Sequence, residues 1–212
     1  MKPEGFMGKV YQGLDLFMKI AYVNLLWILF TVIGLVIFGV VPASVALLSV
    51  IRKWLMKDTD IAIFSTFFRV YKKEFIRSNI AGFFFMLIFI ILYIHFSYSL
   101  LVGGLLQVIL TIGFVINGML ALVTLIYFFP VYVHYDLTLV DYFKRSFLVG
   151  MINIHFILMI LICLVVIYSF FIFSPGYVGL FLPILVGIPI MAVTLISFNK
   201  IDRRKIEEIK FN

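Results

Sequence analysis

Charge is what this sequence lacks over most of its length. No Asp, Glu, Lys or Arg occurs at residues 20–51, 78–135 or 146–199. Transport, proton relay and catalysis within a membrane usually require a buried Asp, Glu, Lys, Arg or paired His in the membrane-spanning segments. These three stretches offer almost none, which argues against all three functions.

Cysteine and histidine are equally scarce. The single cysteine, Cys163, excludes an intramolecular disulfide, and we expect it to be a small packing residue inside an apolar helix. The three histidines are far apart and have no neighbouring Cys or carboxylate at metal-ligand spacing. The sequence also lacks a phosphate-binding glycine loop, a zinc-protease helix and a nucleophile elbow. We therefore predict that the protein is not an enzyme and uses no cofactor or metal.

Long apolar runs are what the sequence has instead. About 20 apolar residues in a helix cross the hydrocarbon core of a bilayer, so 78–135 and 146–199 are each long enough for two passes. Hydrophobic residues make up 65% of the 212 positions and charged residues 13%, which no soluble domain of this size could bury. The predicted fold is an all-α, polytopic transmembrane helical bundle that forms one integral membrane domain over 1–212.

The connectors between apolar runs alternate between charged and uncharged. Because Lys and Arg accumulate in cytoplasmic loops, the charged connectors predict the cytoplasmic side and the uncharged ones the external side. The N- and C-termini are then both cytoplasmic. The cytoplasmic segments are 1–19, 52–78, 134–150 and 200–212, and the external ones are 97–104 and 174–179.

The run at 20–51 leaves two topologies open. As one helix it would measure roughly 48 Å at 1.5 Å per residue, too long for a single comfortable pass and short for two. A proline inside a helix bends it, so Pro42 fits one kinked span, which gives five passes in total. A hairpin that turns near Gly39 gives six passes, arranged as three hairpins. We favour six, with a first hairpin that is short and open to a re-entrant form.

Three asparagines stand at the predicted cytoplasmic starts of apolar runs. They are Asn24, Asn79 and Asn153, and a short amphipathic segment precedes each, which we expect to lie at the membrane interface. Amides at these positions cap helix ends and bond between helices. Alternatively, they form the polar lining of a solute path.

A basic and aromatic segment, Phe64–Arg77, is the most distinctive candidate for a functional surface in the chain. Aromatic residues recur there at helical spacing beside four cations, which predicts an amphipathic helix on anionic lipid headgroups or a docking surface for a cytoplasmic partner. Three residues just after the apolar run 20–51 are added to this segment. The residues predicted to contact a partner or lipids are Arg52, Lys53, Trp54, Arg69, Lys72, Lys73 and Arg77. The net charge of +7 collects at span ends and forms no continuous basic face, so we predict no nucleic-acid binding.

The order of residues from 24 to 79 resembles the YesL-like family of bacterial membrane proteins, whose domain has no known function. The resemblance is carried by Asn24-Leu-Leu-Trp27, by Pro42-Ala-x-x-Ala46, by Arg52-Lys-Trp54 and by the Phe-Phe-Arg-Val-Tyr-Lys-Lys-Glu-Phe run that follows. It implies the cytoplasmic membrane of a Gram-positive bacterium and an association with carbohydrate importers of the ATP-binding-cassette type. It implies no catalytic residues.

Two functions follow as expectations. The first is a non-enzymatic accessory protein, acting in assembly or regulation, for carbohydrate uptake by an ABC-type importer. Its partners would be membrane lipids and importer subunits, with self-association into a homo-oligomer left open. The alternative is a small facilitator or channel for an uncharged solute, which needs no charge inside the membrane.

Overall fold

The computed structural model describes residues 6–173 and 175–211, with side chains except at 6, 9, 12, 171, 175–180 and 201–211. All regular structure in these ranges is helical. The helices are α1 (Phe6–Ile33), α2 (Val40–Leu55), α3 (Ile63–Leu101), α4 (Gly104–His134), α5 (Leu139–Ile152), α6 (Ile154–Phe173) and α7 (Pro175–Phe211).

Four stretches of these helices are long and apolar enough to cross a bilayer. They are Gly13–Ile33, Ile63–Leu101, Gly104–His134 and Phe181–Lys200, and the bent pair α5–α6 would supply a fifth. The prediction of an all-α membrane fold is confirmed. The predicted six passes would also require α2 to cross, and its 16 residues measure about 24 Å against a core of about 30 Å.

The run at 20–51 is a hairpin and not one kinked helix. The indole Nε1 of Trp27 donates to Ser44 Oγ at 3.1 Å, whereas a straight helix would separate these residues by about 25 Å. The chain reverses at 34–39, between α1 and α2. In the alternative of a single span, Pro42 would kink one long helix. Instead it is the third residue of α2, where its missing N–H would have had no partner within the helix.

Two glycines allow the hairpin to close. A Cβ added to Gly39 would lie 2.3 Å from the carbonyl oxygen of Thr31, and one added to Gly34 would lie 2.3 Å from the Cα of Gly39. Between them, Leu35 and Val36 adopt positive φ angles of 57° and 62°, a region that side chains disfavour. The two arms of the hairpin are therefore in backbone contact.

The predicted interfacial segments do not all form separate helices. Phe64–Arg77 is the first part of α3, which continues without a break to Leu101, and most of the N-terminal segment belongs to α1. No proline or glycine interrupts the chain between Phe64 and Asn79, so nothing stops the helix there. After the third predicted interfacial segment, which precedes Asn153, the helix does break. Asn153 caps α5 with φ −114° and ψ 37°, and α6 continues at 90° to α5.

Two apolar clusters hold the helices together. One joins α1, α2, α3 and α7 around the buried side chains of Phe30, Ile51 and Phe67. The other joins α4 and α5 to α3, α6 and α7 around Tyr127 and Phe128. Both lie near the first half of α3 and the second half of α4, so the opposite ends of these two helices extend beyond the packed core.

We expect the Gly39→Ala substitution to destabilise the protein by about 1–3 kcal/mol, because an overpacked contact forces backbone shifts. Gly118→Ala is the matched control, since a Cβ at Gly118 in α4 would have no described atom within 4 Å. That control should be neutral or stabilising by up to about 1 kcal/mol. Thermal unfolding in detergent measures both, and equal midpoints for the two variants would contradict the close contact.

Candidate interaction surface

The charged connectors meet at one end of the molecule. Arg52, in the last turn of α2, donates from Nε to Nδ1 of His134 at the end of α4, at 3.2 Å. Arg77 on α3 pairs with Asp136 at 3.5 Å. The segments 52–78 and 134–150 therefore lie on the same side, as the charge pattern predicted, and the assignment of that side to the cytoplasm remains a prediction.

On its inner face, the basic segment of α3 is fixed by hydrogen bonds and ring contacts. The hydroxyl of Tyr132 donates to Glu74 Oε2 at 2.7 Å, and the Glu74 side chain is only 13% exposed. The guanidinium of Arg77 lies 5.2 Å from the ring centre of Tyr142, which stacks on Tyr132 at 4.5 Å. Cation–π attraction and the carboxylate bond together hold α3 against α4 and α5.

The connector between α4 and α5 is held by the same group of side chains. Arg77 also donates to the carbonyl of Leu137, and the Tyr142 hydroxyl donates to the carbonyl of Tyr135 at 3.0 Å. Thr138 begins α5 by accepting from the backbone N–H of Asp141, a standard N-cap. The connector is therefore held by side chains of α3 and α5 and by the N-cap of α5.

The outer face of the same segment is exposed. The three cations Arg69, Lys72 and Lys73 all point away from the packed core, and the Lys73 side chain is 75% exposed. Phe68 and Ile76, 43% and 74% exposed, flank them. Lys73 lies 3.6 Å from Glu74, while Arg69 and Lys72 pair with no carboxylate among the described residues. This outward group, Arg69, Lys72, Lys73, Phe68 and Ile76, is called the basic face below.

The Arg52–Lys53–Trp54 group is more buried than its sequence suggests. Burial lowers the pKa of Arg52, but arginine remains charged at any physiological pH, and its Nε is bonded to His134. The Trp54 ring packs at the edge of the cluster around Phe67. The indole nitrogen is buried and meets no acceptor among the described residues. Arg52 and Trp54 thus contribute to packing, and Lys53 is half-buried.

Two of the three asparagines bond to backbone carbonyls, and the third is buried. Asn79 donates from Nδ2 to the carbonyls of Phe38, at 2.9 Å, and Phe75, at 2.8 Å. Asn153 donates to the carbonyl of Val149 at 3.0 Å, and Asn24 is buried on α1. Asn79 and Asn153 therefore satisfy backbone groups at a turn and at a bend. The polar-lining hypothesis remains a prediction.

Two adjoining grooves open on the apolar half of α3 and α4. They measure about 480 and 420 Å³ and share Phe89, Tyr93 and Leu125 in their walls. None of the three asparagines lines either groove. Their apolar walls suit hydrocarbon better than a hydrated solute.

The histidines are dispersed in the structure. His95 lies against Phe114 on the apolar half of the α3–α4 pair, His134 accepts a bond from Arg52, and His155 is exposed on α6. Within the described residues, no three His, Cys, Asp or Glu side chains come together as metal ligands.

The roles of Glu74, Tyr132 and Tyr142 were not predicted from the sequence. Their contacts distinguish an inner face of the basic segment of α3 from its exposed outer face. A signal was available: Glu74 and Arg77 are three residues apart, on one side of a helix. The tyrosines that face them flank the charged connector between α4 and α5.

The fold and this charged end define an all-helical, multi-pass membrane protein with one exposed basic face. Residues 20–96 match the family described as a protein of unknown function, DUF624. The chain belongs to this YesL-like family, as its motifs predicted.

The similarity to family members extends well beyond the matched segment. The uncharacterized protein YesV of Bacillus subtilis is 36% identical over 194 residues, 91% of this chain and 93% of YesV. The uncharacterized protein YteU of the same organism is 34% identical over 198 residues, 93% of this chain and 84% of YteU. The uncharacterized protein YesL is 34% identical over 145 residues, 66% of this chain and 68% of YesL. No solved structure matches the chain.

We expect Tyr132→Phe to destabilise the protein by about 1–3 kcal/mol, because it leaves the largely buried carboxylate of Glu74 without its hydroxyl donor. Tyr98→Phe removes an equivalent hydroxyl from an exposed position near the other end of α3 and should change stability by less than about 0.5 kcal/mol. Thermal unfolding in one detergent compares them. Equal stability of the two variants would show that the Glu74 bond contributes nothing.

Proposed function

We propose that this protein is a non-enzymatic accessory subunit for carbohydrate uptake by an ABC-type importer, acting in assembly or regulation. Through its basic face it binds an acidic surface on the cytoplasmic side of the importer. Membrane lipids surround the rest of its helices.

The observation that carries the proposal is that α3 has one cation with contacts inside the protein and others that are exposed. Arg77 is used internally, against two tyrosines and Asp136, and its removal would disturb the fold. Arg69 and Lys72 have no such internal role among the described residues, yet they stand on the same helix beside exposed apolar side chains. Basic and apolar groups fixed together on a rigid element are the composition of a protein-binding surface.

The choice of a carbohydrate importer as the partner is an expectation drawn from the resemblance to the YesL-like family. Neither the fold nor the names of the relatives carries an activity. An accessory role also agrees with the apolar stretches of the helices, which contain no Asp, Glu, Lys or Arg for coupled transport.

The facilitator alternative finds less support. Its predicted lining residues have local backbone partners at Asn79 and Asn153, and the two apolar grooves on α3 and α4 contain none of them. Solute flux into liposomes that contain only this protein remains its direct test.

The test of the accessory role is affinity purification from the native membrane in mild detergent, with the bacterium grown on a polysaccharide-derived sugar. We expect importer permeases or the ATPase to be recovered in stoichiometric amounts. The triple variant Arg69→Gln, Lys72→Gln, Lys73→Gln should reduce that recovery at least tenfold and lower uptake of the sugar, because it removes the charges that face the partner.

A second triple variant controls for charge alone. Lys57→Gln, Lys144→Gln and Lys200→Gln remove the same number of positive charges, three, from exposed positions outside the basic face. The importer should be recovered with this variant in normal amounts. Equal loss in both triples would mean that net charge matters and the face does not. Recovery of the protein without any importer subunit, together with sugar flux in liposomes, would favour the facilitator.

A further inference from the structure

The turn between α1 and α2 is apolar and exposed. Its four central residues, Leu35, Val36, Ile37 and Phe38, are 77%, 57%, 75% and 56% exposed. Turns that face water are normally built from Gly, Pro, Asn, Asp and Ser, and the six residues of this turn contain no polar side chain. Four consecutive large apolar side chains at the end of a hairpin are suited to lipid.

Most of the N–H groups of the turn are paired within the hairpin. The N–H groups of 34–37, 39 and 40 all donate to carbonyls within the hairpin, at 2.7–3.2 Å. The carbonyl of Phe38 accepts from the side chain of Asn79, and that of Phe30 accepts from the hydroxyl of Tyr71 at 3.0 Å. Because hydrocarbon offers no hydrogen bonds, irregular backbone tolerates it only when its polar groups are paired in this way.

The position of the tip along α3 fixes which side of the membrane it can reach. Phe38 bonds to Asn79, and the methyl groups of Val41 lie against Gly82. Asn79 is the second residue of the uncharged stretch of α3, which continues to Leu101 and so extends about 33 Å beyond the tip. That distance is about the thickness of the hydrocarbon core. The tip and the connector between α3 and α4 are therefore separated by about one membrane thickness.

We propose that the α1–α2 hairpin is shallowly re-entrant: its tip alone enters the membrane, from the side of the charged connectors, and the chain returns to that side. Its arms run beside the first part of α3, where Phe30 packs against Phe67 and Tyr71. The side chains of residues 35–38 contact lipid acyl chains of the adjacent leaflet. The composition of Gly13–Ile33 would allow a span, but its partner α2 is too short to return across a full bilayer. This inference is independent of the importer, since it depends only on the hairpin and on α3.

Cysteine accessibility tests the proposal in a Cys163→Ala background. Val36→Cys examines the tip, Gly103→Cys the connector between α3 and α4, and Lys57→Cys the charged connector between α2 and α3. A membrane-impermeant maleimide is added to intact cells and, separately, to inside-out vesicles. We expect Gly103→Cys to react only in cells, Lys57→Cys only in vesicles, and Val36→Cys in neither.

A spin label distinguishes lipid from protein around the tip. Val36→Cys and Ile37→Cys, labelled in detergent and reconstituted into liposomes, should be relaxed at least threefold more by oxygen than by a water-soluble nickel chelate. Reaction of Val36→Cys in intact cells would show that the hairpin crosses the membrane and would overturn the proposal. Reaction in inside-out vesicles, or stronger relaxation by nickel, would place the tip in water and overturn it equally.

Discussion

Moving a charged side chain into hydrocarbon costs several kcal/mol. This chain avoids that cost, because three long stretches contain no Asp, Glu, Lys or Arg. The ends of α2 and α4 and the first half of α3 must then share one region outside the lipid. Their charges interact there, in the bond from Arg52 to His134 and in the contact of Arg77 with Asp136. If the tip of the α1–α2 hairpin contacts lipid as proposed, its backbone N–H groups also need partners within the protein, and most of them have one.

Crowding of cations at that end creates a second requirement, because like charges repel. Arg77 lies beside two tyrosine rings and one carboxylate, and Arg145 lies 3.6 Å from the ring centre of Tyr135. Aromatic faces thus supplement the few acidic residues as partners for cations. Among the described residues, no aromatic ring lies under the cations on the outer face of α3, and these cations are therefore the ones suited to a partner.

The sequence was sufficient for the features that depend on composition. The helical membrane class follows from runs without charge, and the grouping of charged connectors on one side follows from their alternation. The hairpin at 20–51 was one of two alternatives, and only the contact of Trp27 with Ser44 decides between them. Neither propensity nor hydropathy specifies whether a helix continues through an interface: the chain runs straight through at Asn79 and bends by 90° at Asn153. The sequence also did not reveal that the Arg77 side chain points into the protein, since this depends on tyrosines more than 50 residues away along the chain.

The unbroken course of α3 has a mechanical consequence. A helix of 39 residues is a rod of about 58 Å, with the basic face near one end and the connector to α4 at the other. Asn79 fastens it near the middle to the tip of the α1–α2 hairpin, which can serve as a fulcrum. A protein that grips the basic face and tilts the rod by about 5° would displace its far end by about 3 Å, on the opposite side of the bilayer.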